Sequence, residues 1–224
     1  MMISRLAASI PRRRTALAAM RMTQAAKSTT AKQKRSITSH SQLPEETSMV
    51  YEMCRKFADE ELAPNATEWD QKHEFPTQAV AALSELGLMG INTPEENGGV
   101  GLNALSYAIA MEEISRGCAS VGVIMSAHNS LYMYPVQAFG TPAQHEEFIT
   151  PYAFPSLDDD GGKINNIGCF CLSEPGNGSD AGAAATTATK DGDDWIINGT
   201  KAWITNAYEA DAAVVFATTD KSLK

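Results

Sequence analysis

The apolar pattern of this chain changes period once, and that change limits what the chain can fold into. From residue 45 to about 150 apolar side chains recur at helical spacing. After "SLDDDGGKINN" (156–166) they fall into short β-rich runs. The expected fold class is therefore α+β: an all-helical domain over 45–155, a linker at 156–166, and the opening strands of a β-sheet domain over 167–224.

Within the helical part, Val50, Met53, Phe57 and Leu62 mark one inward stripe that Pro64 stops. A second helix starts at Thr77, turns Val80, Leu83 and Leu86 inward and ends at Gly87. The polar loop "NTPEENGGVGLN" precedes a helix through Tyr107, Met111 and Ile114. "SVGVIMSAHNSLYMYPVQAFG" is apolar enough for a helix buried on most sides. Thr141-Pro142-Ala143-Gln144 has proline at the first helical position and a capping-box glutamine. Beyond the linker, Ile167–Leu172 and "AAVVFATT" (212–219) are expected strands. In "DWIINGTKAWIT" the Asn198-Gly199 pair signals a hairpin, with Trp203 and Thr205 on one face of its second strand.

Charge divides the chain as sharply as period does. Residues 1–44 carry nine Lys or Arg and no acid, while all 27 acids follow, so the net charge of −9 conceals a basic arm on an acidic body. Arg-rich, Ser-rich and acid-free is the composition of an organelle transit peptide. A disordered arm that binds nucleic acid is the other reading, weakened by the lack of aromatics for base stacking. No stretch approaches the roughly 18 apolar residues of a membrane span. His40, His73, His128 and His145 are scattered, as are Cys54 and Cys118, and Cys169-Phe170-Cys171 stands without a partner cluster. A packed strand thus explains the cysteine pair better than a metal does.

The stretch that asks for a chemical explanation is "CFCLSEPGNGSDAG" (169–182). Pro175 pushes Glu174 towards extended geometry. Gly176 and Gly178 allow close approach to the backbone, and exposed N–H groups there suit an anion. Ser179 and Asp180 add a hydroxyl and a carboxylate. Neither a Walker loop nor a dinucleotide fingerprint is present. Taken alone the stretch reads more readily as an ornate turn than as a ligand loop, just as Trp203 alone reads more readily as core.

Together, "LSEPGNGSDAG", "NGTKAWITNA" and the upstream "TPEENGGVGL" resemble the acyl-CoA dehydrogenase family, its short-chain (butyryl-CoA) members above all, over essentially all of 45–224. The resemblance implies a mitochondrial matrix enzyme that uses FAD to remove the α and β hydrogens of a short-chain acyl-CoA thioester. It also implies a homo-oligomer, tetrameric at full length, that passes electrons to electron-transfer flavoprotein, with no nucleic-acid or membrane partner. By the family pattern the FAD-binding residues are Phe170, Cys171, Leu172, Ser173, Glu174, Pro175, Gly176, Asn177, Gly178, Ser179, Trp203, Ile204 and Thr205. Ser179 would also contact the CoA portion of the substrate. Ser173 would lie at the flavin's pyrimidine edge, Trp203 on its rings and Thr205 at the nitrogen that accepts hydride.

The resemblance also sets expectations about what is missing. The family's catalytic glutamate comes from a C-terminal helical bundle absent from these 224 residues, so no catalytic residue is expected here, and the chain is expected to be an N-terminal portion. Residues 45–224 alone are expected to bind FAD poorly, to leave butyryl-CoA unoxidised and to aggregate. The segment 151–166 is longer and more acidic than the family's linker. An acyl-CoA oxidase, or a non-catalytic short form that binds acyl-CoA or partner subunits, are the alternatives.

Overall fold

A computed structural model describes residues 43–223; the basic arm, with its targeting expectation, lies outside the described residues. From Pro44 onward the chain forms one unit. Helix α1 (Glu45–Phe57) runs into a π-helical turn (Ala58–Leu62). Its fully buried stripe is Val50, Cys54, Ala58 and Leu62. Met53 and Phe57 are only half-buried, so the inward face is rotated from the expected one. The small side chains Cys54 and Ala58 are what let α1 pack closely on α4 (Ala104–Gly117). The Cys54 thiol is pushed up to about 12, first by burial and then by Glu113, and remains a neutral packing group.

Helix α2 (Ala66–Lys72) ends at His73, and α3 (Thr77–Glu85) buries Val80 and Leu83 as expected, with Leu86 half-buried just beyond it. Asn103 caps α4 by accepting the Ser106 N–H at 3.0 Å. The long apolar stretch is one continuous helix made of α5 (Ala119–Ser126), a π-helical stretch (Ala127–Met133) and α6 (Tyr134–Phe139). One side is exposed at Val123, Leu131, Tyr134 and Phe139, so it is less enclosed than its composition suggests. Thr141 and Gln144 form the expected capping box at the start of α7 (Pro142–Phe148).

The acidic segment is not a plain linker. It folds into a two-stranded antiparallel ribbon, β1 (Ser156–Leu157) with β2 (Ile164–Asn165). Asp158 closes its turn by accepting the N–H groups of Gly162 (2.9 Å) and Lys163 (3.2 Å), and Ile164 is fully buried. Asp158 therefore does local work as a turn-closing acceptor.

The remaining strands form two further ladders. β3 (Gly168–Cys171) pairs in parallel with β6 (Ala212–Val215), and β4 (Thr187–Asp191) pairs antiparallel with β5 (Asp194–Asn198). The fold class is the expected one, helices followed by a few strands, and the described residues close no barrel. The hairpin turns at Gly192-Asp193, not at Asn198-Gly199. Asn198 ends β5, and a Cβ on Gly199 would lie 2.3 Å from Thr186 Oγ1. That glycine serves close packing, and the chain leaves the sheet before Trp203.

The long helix carries β3. A Cβ on Gly168 would sit 2.0 Å from the Tyr132 ring, so only glycine lets the strand come this near. His128, fully buried, bridges the same junction. One ring nitrogen lies 2.9 Å from the Tyr152 carbonyl and the other accepts the Gly168 N–H at 3.1 Å, which defines a neutral imidazole protonated at Nε2.

Candidate functional site

At the end of β3 the backbone makes a tight turn. Glu174 N–H donates to the Asn177 carbonyl at 2.8 Å and Asn177 N–H returns to Glu174 at 3.1 Å, with Pro175 and Gly176 between them. Pro175, Gly176, Gly178, Ser179 and Asp180 form an exposed tip, and Asn177 is half-buried. The turn, with Ala183, Ala185 and Thr200, borders a cavity of about 320 Å³.

The two tip glycines are not there for the fold. Neither Gly176 nor Gly178 has a positive φ, and a Cβ on either would meet nothing within 4 Å. A residue with a side chain would fit the chain's own packing at both positions. What a side chain would cost is access from outside to the peptide groups of the tip.

Glu174 has a different role from its neighbours. Its side chain is buried, accepting the N–H groups of Ala185 (2.6 Å) and Thr186 (2.9 Å) and the Lys201 ammonium at 2.9 Å. The Thr186 side chain alongside, Lys201 and these peptide donors hold its carboxyl far below the ordinary carboxylate range. Thr186 Oγ1 has no partner of good hydrogen-bond geometry, so Lys201 and the two peptide N–H groups carry the effect. Glu174 is thus the anion that ties both ends of the loop, 174 and 185–186, to residue 201.

Lys201 also donates to the Leu172 carbonyl at 3.0 Å, and Ala202 N–H donates to the Ser173 carbonyl at 2.9 Å. These bonds bring the two sequence motifs side by side. Phe170 stacks tilted against Phe216 with ring centroids 5.0 Å apart, and Cys171, Leu172 and Ser173 are half-buried. The Cys169 and Cys171 sulfurs lie 3.8 Å apart on one strand face, and the Cys169 thiol is pushed up to about 12 by burial and by Cys171. Both are free thiols.

Trp203 departs from the expected strand. Its φ is +62° and it is 93% exposed, while Ile204 and Thr205 are half-buried beside it. A bulky residue held in the left-handed region is uncommon, and such geometry gathers where function uses it. The sequence reading missed Lys201 and Asn206, which fasten this segment. For Asn206 a signal existed, because asparagine tolerates the left-handed backbone it adopts here (φ +67°).

Comparison with known proteins follows the same outline. The acyl-CoA dehydrogenase N-terminal domain matches residues 44–154 and the acyl-CoA dehydrogenase middle domain matches 169–224. The chain is 58% identical over 182 residues to the mitochondrial short-chain specific acyl-CoA dehydrogenase of Bos taurus, covering 81% of this chain and 42% of that protein. Among solved structures it resembles butyryl-CoA dehydrogenase from Megasphaera elsdenii (35% identity, TM-score 0.68, 85% of this chain and 47% of that one). It also resembles glutaryl-CoA dehydrogenase from Mycobacterium smegmatis in complex with FADH2 (34% identity, TM-score 0.70, 80% and 44%). The chain spans less than half the length of these relatives. Two matching domains in the family's order, over a fold and motifs that agree with them, make the chain a member of the acyl-CoA dehydrogenase family.

Proposed function

We propose that this chain contributes the flavin- and thioester-binding face of a short-chain acyl-CoA dehydrogenase. The observation that carries the reading is the exposed tip at 175–180. Its glycines answer to no demand of the fold, and the segment bonded to the base of the same loop carries an aromatic side chain held open to solvent. A planar, anionic cofactor fits that pairing: peptide N–H groups for its charge and an indole face for its rings.

FAD, when bound, supplies the acceptor for the hydride lost in α,β-dehydrogenation of the thioester. This chain's residues bind and polarise. Phe170, Cys171, Leu172 and Ser173 line the ring system, and the Ser173 hydroxyl and the peptide donors stabilise negative charge at its edge, as an oxyanion hole does. Trp203 and Ile204 support the rings, and Thr205 donates a hydrogen bond to them. The tip residues Pro175, Gly176, Asn177, Gly178 and Ser179 lie against cofactor and substrate, with Ser179 reaching the CoA portion.

Glu174 is not the base that takes the α-proton. Its carboxylate is committed to Lys201 and two peptide N–H groups, which leaves it too weak a base for a thioester C–H. Its contribution is to fix the loop that the other residues use. The reading also places the enzyme in the mitochondrial matrix, as a homo-oligomer that hands its electrons to electron-transfer flavoprotein.

Anaerobic titration of the full-length protein with butyryl-CoA tests this. Bleaching of a bound flavin's absorption is the expected result. A protein that purifies without flavin and takes up none, or whose flavin no acyl-CoA reduces, would overturn the reading.

A further inference from the structure

The segment 201–206 is fastened at both ends and strained in the middle. At its start Lys201 holds the Leu172 carbonyl and the Glu174 carboxylate, and Ala202 N–H holds the Ser173 carbonyl. At its end the buried Asn206 donates from Nδ2 to the carbonyls of Ile124, in α5, and Gly168, in β3, each at 3.3 Å. Asn206 Oδ1 is buried without a partner, so the side chain is placed for its two donor bonds at the expense of its acceptor.

Between the fasteners, Trp203 has no support of its own. Its indole is 93% exposed and has no hydrogen-bond partner among the described residues, yet its backbone sits at φ +62°. Strained backbone persists only where the surroundings over-determine it. Here those surroundings are the bonds of Lys201 and Asn206, one set rooted in the glycine loop and the other in the helical body.

We infer that Lys201 and Asn206 are positioning residues that clamp the 202–205 segment, holding Trp203 and Thr205 ready for the flavin before it binds. The inference rests on the proposed function for the identity of the ligand, but the strain it invokes is a property of the protein alone. A preset ledge saves the ordering that binding would otherwise require.

Two measurements on the full-length protein test it. The first needs no cofactor. Trp203→Gly and Trp203→Ala both remove the indole, but glycine accepts the left-handed backbone and alanine does not. If the clamp holds the strain, Trp203→Gly melts about 2–4 °C above Trp203→Ala, and the gap closes when Lys201→Met or Asn206→Ala releases the segment. Equal melting temperatures would overturn the inference.

The second measurement follows Trp203 fluorescence anisotropy, in a background whose other tryptophans are phenylalanine, and FAD affinity in Lys201→Met, Lys201→Arg and Asn206→Ala. Lys201→Met and Asn206→Ala are expected to lower the anisotropy and to weaken FAD binding by about 10- to 100-fold, as misplacement of a positioning group does. Lys201→Arg should recover most of both. Wild-type anisotropy and affinity in folded Lys201→Met and Asn206→Ala proteins would overturn the inference. A wild-type protein indifferent to FAD would defeat the proposed function, while the glycine–alanine comparison would still decide the clamp.

Discussion

The helical body holds a buried apolar core, whereas β5 in the strand-rich segment that follows it leaves its apolar side chains exposed. In the helices, Val50, Leu62, Leu83, Ile114 and Met125 are wholly buried. On β5, Trp195, Ile196 and Ile197 are 51%, 52% and 51% exposed, and Phe216 just beyond β6 is exposed as well. The first region is held by packing. The second is held by specific polar anchors: Glu174 on Lys201, Asn206 on Ile124 and Gly168, His128 on Gly168, and Asp211 on Lys163 (2.7 Å) and the Asn166 N–H (2.7 Å). The lesson is that the candidate site is built on hydrogen bonds whose strength depends on geometry and protonation, on top of a body whose stability depends on volume.

That contrast can be broken in four places. The largest effect is expected in the body, where Leu83→Ala in this chain should cost about 2–5 kcal/mol in denaturant unfolding, since it removes fully buried methyl groups. A loss below about 1 kcal/mol would mean the helices are not volume-limited.

Next comes acid. Burial pulls the His128 pKa down to about 4, against the Tyr152 carbonyl bond that raises it. Because the folded value lies below the ordinary 6.5, the histidine costs nothing above that pH. It destabilises the fold progressively as pH falls from 6.5 to 4, where the unfolded chain binds the proton first. The accumulated loss is up to about 3 kcal/mol, and His128→Gln should flatten that part of the pH–stability curve. An unchanged slope in the variant would contradict the neutral bridge.

The junction between the regions gives a third test. Gly168→Ala places a methyl against the buried Tyr132 ring and should cost about 1–3 kcal/mol by overpacking. In a Tyr132→Ala background, which lacks every clashing ring atom, Gly168→Ala is expected to cost less. An equal cost there would place the strain elsewhere. The smallest effect belongs to the strand face, where Ile196→Thr in this chain should change stability by no more than about 0.5 kcal/mol. A cost equal to that of Leu83→Ala would erase the contrast.

Features set by local chemistry were legible in the sequence. The capping box at Thr141 and Gln144, the helix from Thr77 and the strand around Phe170 depend on neighbours close in the chain, and they stand where periodicity and capping rules put them. Features set by distant neighbours were not. The inward stripe of α1 is rotated because Cys54 and Ala58 are small enough to meet α4, a fact about α4 as much as α1. Asn198-Gly199 carries the hairpin signal, yet its glycine is needed where the chain passes Thr186, and Gly192-Asp193 makes the turn instead.

In the candidate site, the motif letters marked the right stretches but hid how they work. Glu174 reads as one more polar loop residue, and only the fold reveals it as the buried anchor. Trp203 reads as a strand residue, and only the bonds of Lys201 and Asn206 explain why it stands off the sheet. Side-chain spacing carries no record of a bond between residues 174 and 201, or 124 and 206.

The central claim is that the tip at 175–180 and the Trp203 ledge together receive a flavin, and equilibrium titration of flavin-stripped full-length protein with FAD tests it most directly. The account predicts saturable binding, quenching of indole fluorescence that Trp203→Phe removes, and weaker binding when Gly178 is replaced by valine. Binding that neither substitution alters would contradict it.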